Sequence, residues 1–551
     1  MEIRVERGDI AQQSADAIVV NLFEGVTRPG GGTGAVDAAL DGAISRVIED
    51  GDCRGKENEF TLIHTLGKIP SPRVLVAGLG KPESFTIDKV RTVAAGAARY
   101  LRRRRCQTIA TITHGAGIAG LEPEACAQAV AEGAILGLYQ FHRHKKPPED
   151  AVTVREITLV EFDDSRLDAL RSGVERGTAL ADATNFARDL ANEPGNILTP
   201  TVLAERARDL AEETGLACEV HDQPWMEKQG MGALLGVARG SAQPPKFIVL
   251  RYRGKLPSVV TTLLQRLEAA KARGAQAEAK AIRTELRVTH GYYVSRQPKR
   301  RTHLALVGKG ITFDTGGISI KPAAGMEEMK GDMAGGAAVI ASMGAIARLK
   351  PAIDVTAVVP AAENMPGGNA TKPGDVLRAM NGKTIEVINT DAEGRLILAD
   401  GLSYVRQISP ERPDAIVDVA TLTGAISIAL GNVAFGAMTN NEALCRRVER
   451  AAKAAGEKVW QLPMFEEYKE QIKSEVADMK NVGGRNAGSI TAAFFLKEFV
   501  EDTPWVHLDM AGVDFYQKEK GVIVKGASGI PVRTLVHLVL DLAEEPLAAD
   551  G

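Results

Sequence analysis

TIEVINTDAEGRLILADGLSYV, residues 384–405, is the stretch whose reading decides the fold. Its first five residues, TIEVI, are rich in β-branched side chains and predict a strand. Its last ten, LILADGLSYV, have the apolar spacing of a helix. The turn between them, NTDAEGRL at 389–396, sets two carboxylates, Asp391 and Glu393, one residue apart, with Arg395 two further on. A strand feeding a helix through a charged turn is the unit from which α/β sheets are built. Ligands in such sheets sit beyond the carboxyl ends of the strands.

Working outward, residues 247–252, 303–307, 353–359, 415–419 and 505–508 also read as strands, with helices between most of them. That pattern predicts a central, mostly parallel sheet covered by helices on both faces. Upstream, NEPGNILTP at 192–200 supplies Thr199 as N-cap and Pro200 as first residue of an amphipathic helix ending near Gly215. Residues 1–165 mix short apolar runs with alanine-rich helical stretches and predict a smaller α/β domain. Residues 166–551 are expected to form a linker helix and the larger domain.

The 551-residue chain is 44% hydrophobic and 25% charged, ordinary for a soluble globular protein. Its net charge of −3 gives no global case for nucleic acid or an acidic membrane. The N-terminus, MEIRVERGDI, is charged from its second residue, so no secretory signal is expected. The uncharged window 419–441 is broken by threonine, glycine and asparagine and reads as buried strand, turn and short helix rather than a membrane span. Five scattered cysteines without a CxxC pair suit a reducing cytoplasm.

One segment departs from this balance. Residues 251–301 hold thirteen Lys/Arg against three Glu, a local net of +10. Leu263, Leu264, Leu267, Ile282 and Leu286 recur at helical spacing around Gly274, predicting a basic helical insertion over about 254–301. Two shorter basic runs, RRRR at 102–105 and HRHKK at 142–146, read as solvated helix ends.

The loop after strand 303–307, VGKGITFDTGGISIKP at 307–322, sets Lys309, Asp314 and Lys321 among four glycines. An alanine- and glycine-rich helical run, MKGDMAGGAAVIA at 329–341, carries Asp332. With Asp391 and Glu393 this makes four carboxylates on three segments, expected to converge at one edge of the sheet. Converging acids repel and need cations. A divalent metal pair supplies that charge compactly and can activate water. No histidine lies near, and hard oxygen donors favour Mg or Mn, with zinc still open.

These motifs, in this order, resemble the leucyl aminopeptidase (cytosol aminopeptidase, M17-type) family, as does VADMKNVGGRNAGSITAAFF at 476–495. The likeness spans about residues 170–545 and is loose over 1–165, where it implies a macro-like domain. It implies two divalent metal ions per subunit, manganese or zinc, on Lys309, Asp314, Asp332, Asp391 and Glu393. Asp314 and Glu393 would bridge, Lys309 and Asp332 complete one site, and Asp391 the other. It makes Lys321 and Arg395 the catalytic pair, with bicarbonate at Arg395 relaying a proton. Met329, Thr421, Leu422 and Gly424 would line the substrate side-chain pocket. The implied activity is attack by a metal-bridging hydroxide on the N-terminal peptide bond of peptides with a free α-amine, Leu and Met preferred. A cytoplasmic homohexamer is the implied setting. Thr315 stands where the family most often has serine, and the insertion at 254–301 lengthens a normally short connection. Two other readings stay open: nucleic-acid binding through the basic segments, and a two-metal phosphoesterase.

Overall fold

The computed structural model describes residues 1–116, 120–146, 148–255, 258–290, 301–407 and 412–547. The chain forms two compact units, residues 1–185 with 516–528, and residues 186–515 with 529–551; the helix Leu167–Asn192 runs from the first into the second.

The first unit is built on six strands, β1 Glu2–Arg7, β2 Ala17–Phe23, β3 Phe60–His64, β4 Arg73–Gly80, β5 Thr108–Ile112 and β6 Glu156–Glu161, in the order β1-β6-β5-β2-β4-β3. All pairs are parallel except β3 with β4. The helices Ile87–Arg102 and Pro123–Leu138 approach closely at Gly133, where a Cβ would lie 2.2 Å from the Arg91 carbonyl oxygen. The RRRR run that ends the first of these helices is engaged within the chain. Arg102 donates to the Leu138 carbonyl (2.9 Å), Arg103 pairs with Glu519, Arg104 lies over the Tyr100 ring and Arg105 pairs with Asp150 (3.1 Å). The HRHKK run is exposed.

The second unit contains β7 Ala217–His221, β8 Lys246–Tyr252, β9 His303–Gly308, β10 Gly310–Asp314, β11 Asp354–Asn364, β12 Val376–Arg378, β13 Thr384–Glu386, β14 Ala415–Ala420, β15 Phe435–Thr439, β16 Val459–Gln461, β17 Met479–Lys480 and β18 Trp505–Asp509. Nine of these form one sheet ordered β16-β15-β18-β14-β9-β11-β8-β7, with β10 alongside β11. Its centre, β18-β14-β9-β11, is parallel; on one side β15 runs antiparallel to β18 and parallel to β16, and on the other β8 is antiparallel to both β11 and β7. The central strands are covered on both faces, as parallel strands require. Gly401 of helix Gly394–Gln407 abuts Val307 and Pro360, and Gly336 of helix Ala334–Leu349 abuts the residue before Pro360, Val359, whose side chain points to the opposite face.

Two expectations change. The strand expected at 384–388 is the three-residue β13, and it belongs to a separate sheet, β12-β13-β17. It is the return arm of a tight hairpin through Asn381 and Gly382, whose φ is +90°. An Asn-Gly pair between short extended runs favours that turn over a crossover connection. Asp332 precedes its helix: a 3₁₀ turn, Met326–Gly331, delivers it, and the α-helix begins at Ala334. The insertion forms the helical pair that its apolar spacing predicts. Its helices, Ser258–Ala272 and Gln276–His290, pair through a seam of Leu263, Leu267, Ala270, Ala279, Ile282 and Leu286 around a turn at Gly274. Both roots lie at the amino ends of β9 and β11, the sheet edge opposite Lys309. There Asp354 accepts from Arg253 (3.2 Å), the Gly254 amide (3.0 Å) and Arg301 (3.2 Å). Residues 256–257 and 291–300 of the predicted insertion fall outside the described residues.

Window 419–441 resolves into the end of β14, the short helix Gly424–Leu430 and β15, as its composition predicts. Among the described residues one helical run, Met326–Leu349, is long and apolar enough to cross a membrane, and 89% of its most apolar window is buried in the core.

Candidate metal centre

Lys309 follows β9 directly and is fixed on both sides by backbone. Its amide donates to the Val419 carbonyl (3.0 Å), and its own carbonyl accepts from Gly336 (2.7 Å). The side chain has nowhere to go but inward. Its Nζ lies 2.7 Å from Asp332 and 2.9 Å from Glu393 and donates to the Thr421 carbonyl at 2.9 Å. Gly394 makes room for it: a Cβ there would stand 2.6 Å from the Lys309 Cε.

Asp314 closes β10 opposite Asn364, the last residue of β11. Gly316 and Gly317, at φ +86° and +66°, then turn the chain sharply, a conformation glycine adopts without strain. The Gly316 amide donates to Asp314 (2.8 Å), and the loop returns Lys321 to lie 2.7 Å from the same carboxylate while pairing with Asp391. Each ammonium thus sits between two acids, Lys309 between Asp332 and Glu393, Lys321 between Asp314 and Asp391. Carboxylate oxygens of Asp314, Asp332 and Glu393 lie within 4.8 Å of one another.

Burial raises the carboxyls of Asp332 and Glu393 above the usual range, and neighbouring carboxylates add to it. Asp391 is raised as well, again chiefly by burial. Burial works against both lysine ammoniums, but the carboxylates outweigh it and hold both above the ordinary lysine value. Four carboxylates face two ammoniums, so the cluster has formal capacity for more positive charge. Its donors are oxygens and amines, a set that suits hard divalent cations.

The other expected residues are placed less uniformly. Arg395 is buried in the first turn of its helix; its Nη1 donates to the Asn481 carbonyl (2.7 Å), and its Nε has no partner among the described residues. Burial pulls its guanidinium down to about 10. The Thr421 hydroxyl donates to Asp332 at 2.7 Å, so this residue supports the cluster itself. Met329 and Leu422 are half-buried and Gly424 is exposed; none of the three makes one of the cluster's hydrogen bonds.

Sequence reading missed three residues. Asn364 Nδ2 donates to Asp314 (2.7 Å), to the Thr390 carbonyl (3.0 Å) and to Glu393 (3.4 Å). Thr390 ties the two loops together, donating to the Gly316 carbonyl (2.6 Å) and accepting from the Ser319 amide (2.8 Å). Asn481 receives Arg395 and holds the approach to NTDAEGRL through the Ile388 amide (2.8 Å) and Asn389 carbonyl (2.6 Å). The signal for Asn481 was within reach, since it lies in the glycine-rich segment 476–495.

The family model for the catalytic domain of cytosol aminopeptidases matches residues 185–264 and 258–536, and that for their N-terminal domain matches residues 19–148. A probable cytosol aminopeptidase of Solibacter usitatus is 46% identical over 541 residues, 98% of this chain and 99% of that protein. One from Alkaliphilus metalliredigens is 43% identical over the same shares. Among solved structures, a bottromycin maturation enzyme in complex with Mn is similar at 32% identity and a TM-score of 0.79, covering 96% of this chain and 100% of that one. A tomato leucine aminopeptidase mutant is similar at 31% identity and a TM-score of 0.79, covering 98% and 96%.

Proposed function

This chain belongs to the cytosol aminopeptidase family, a family of metal-dependent peptidases, and from that premise we propose that it removes apolar N-terminal residues from peptides with a free α-amine. The observation that carries the reading is the buried, interlocked cluster in which each of two lysines lies between two acids.

Lys309, Asp314, Asp332, Asp391 and Glu393 would hold two divalent ions, Asp314 and Glu393 being shared between them. Asn364 supports the shared role, because its one amide group donates to both. Lys309 and Asp332 complete one position and Asp391 the other. Lys309 must release its proton to act as a ligand, so loading exchanges a proton for a cation. The hard donor set favours manganese, and the similar structure containing Mn agrees with it. Bound there, the metal pair supplies a Lewis acid for the scissile carbonyl and an activated water.

Lys321 stays an ammonium between Asp314 and Asp391 and stabilises the negative charge that develops on the carbonyl oxygen. Arg395, its Nε–H unengaged among the described residues, would hold bicarbonate, which would supply a base for proton relay. Met329, Leu422, Gly424 and the methyl of Thr421 line the side-chain pocket, the polar groups of Thr421 being committed to Lys309 and Asp332. An acetylated N-terminus removes the amine that the site must bind, so acetylated peptides are poor substrates. The setting is a cytoplasmic homohexamer; exposed Ile428, Trp460, Phe465 and Val476 supply apolar surface for contacts between copies.

The test is hydrolysis of Leu-p-nitroanilide by protein stripped of metal and reloaded with Mn or Zn, beside p-nitrophenyl phosphate. Restored release from the anilide supports the reading; turnover of the phosphate ester alone would replace it with the phosphoesterase. A second reading, nucleic-acid binding, rests on the helical hairpin, where Arg266, Lys280 and Arg283 are exposed. Duplex DNA retention lost on deleting 258–290 would support it, and unchanged retention would end it.

A further inference from the structure

Beneath the candidate metal centre lies a second buried carboxylate that none of the proposed roles uses. Asp509 ends β18 beside Ala420, the last residue of β14, and is fully buried. Among the described residues no lysine, arginine or histidine pairs with it directly; it is satisfied by donors from one loop and from its own turn. Its Oδ1 accepts from the amides of Leu422 (3.1 Å), Thr423 (3.3 Å) and Ala511 (3.4 Å). Its Oδ2 accepts the Thr423 hydroxyl at 2.6 Å. That hydroxyl also meets Ser489 Oγ at 2.7 Å and caps the helix Gly424–Leu430 through the Ile426 amide (3.2 Å). The residues so gripped directly follow Thr421, whose carbonyl and hydroxyl engage Lys309 and Asp332.

We infer that Asp509 is a positioning residue, one that holds the 420–424 loop so that Thr421 fixes Lys309 and Asp332 in place for metal. The inference rests on the metal reading above for its consequence, and on hydrogen bonds alone for its cause. A carboxylate suits the task because one oxygen can accept three convergent amides while the other takes the hydroxyl. Removing it leaves those buried amides without a partner. Groups that orient metal ligands in this way typically contribute about 10–100-fold in metal affinity or activity.

The experiment compares Asp509→Ala, Asp509→Asn and Lys321→Ala with the unaltered chain, using amide hydrogen exchange at 420–424 in metal-free protein and Mn binding by calorimetry. Asp509→Ala is expected to lose protection at Leu422 and Thr423 and to bind Mn about 10–100-fold more weakly. Asp509→Asn, whose amide oxygen can still accept the three backbone N–H groups, should recover most of both. Lys321→Ala should leave the loop's protection unchanged. Unchanged protection in Asp509→Ala would overturn the inference, as would lost protection with unaltered Mn affinity. If the unaltered chain bound no Mn, the metal reading would fall and this consequence with it, while exchange would still decide whether Asp509 holds the loop. Should Asp509→Ala not fold, Thr423→Val removes the hydroxyl bond to Oδ2, and the same two readouts decide.

Discussion

At Lys321 the side chain is 21% exposed, whereas at Lys309 it is 4% exposed and enclosed by Gly394, Thr421 and two carboxylates. Only the first can meet a substrate without displacing something. Lys321→Ala should therefore lower kcat by about 10²–10³ with Mn affinity retained, read from steady-state kinetics beside a metal titration. Asn364→Ala should do the reverse first. Stripping the amide that Asp314 and Glu393 share weakens Mn binding by about 10–100-fold, measurable by calorimetry. The contrast also explains what the sequence could disclose. Lysines and acids among glycines stand out because burying charge beside flexible backbone needs a reason. Asn364 closes a mostly apolar strand directly after Glu363, and a neutral amide there has no period or charge to mark it. Its meaning comes from register, since it stands across from Asp314 only once β10 and β11 pair.

Helix Gly394–Gln407 acts at the scale of an element. Its first residue must lack a side chain, because Lys309 Nζ lies 2.8 Å from where a Cβ would be. Gly394→Ala should keep the fold, seen by circular dichroism, and lose most turnover, because Lys309 cannot retreat. In the middle of the same helix, buried Asp400 accepts the amides of Leu234 and Met380, each at 2.7 Å. Burial raises its carboxyl from 3.8 to about 7, against the backbone donors that favour the charged form. A carboxyl raised in the folded state binds its proton more tightly there. Its contribution to stability is therefore fullest below 3.8 and is lost as pH climbs through about 7. Relative to Asp400→Asn, the unaltered chain should thus lose stability between about pH 4 and 7 and level off above, checked by urea unfolding at each pH. Helix Gly394–Gln407 was legible from its apolar spacing; the strand before it was misassigned. Residues 384–388 look like a sheet strand locally, and only the Asn381-Gly382 turn shows that they fold back on β12.

Across the whole molecule, the parallel centre of the larger sheet was readable from mostly apolar strands such as β9 and β14, whose residues are all buried. Its antiparallel flanks were not, because strand direction depends on where each connection crosses, and connection length alone leaves that undecided. The insertion's location was equally hidden: its charge is obvious, yet the acid that receives both ends, Asp354, lies some fifty residues downstream of where the insertion ends. Deleting 258–290 and rejoining the roots should leave anilide hydrolysis near that of the full chain, since the roots leave the sheet at the edge away from Lys309 and the carboxylate cluster. Loss of hydrolysis would place the hairpin in the machinery after all.

The grip of Asp354 on Arg253 and Arg301 has a practical corollary. Whatever happens between those two arginines is a spur whose base is already fastened. The polypeptide could be severed at Gly274 and made as two pieces. Each piece would carry one half of the leucine–isoleucine zipper, and mixing them should reconstitute the enzyme without a covalent join.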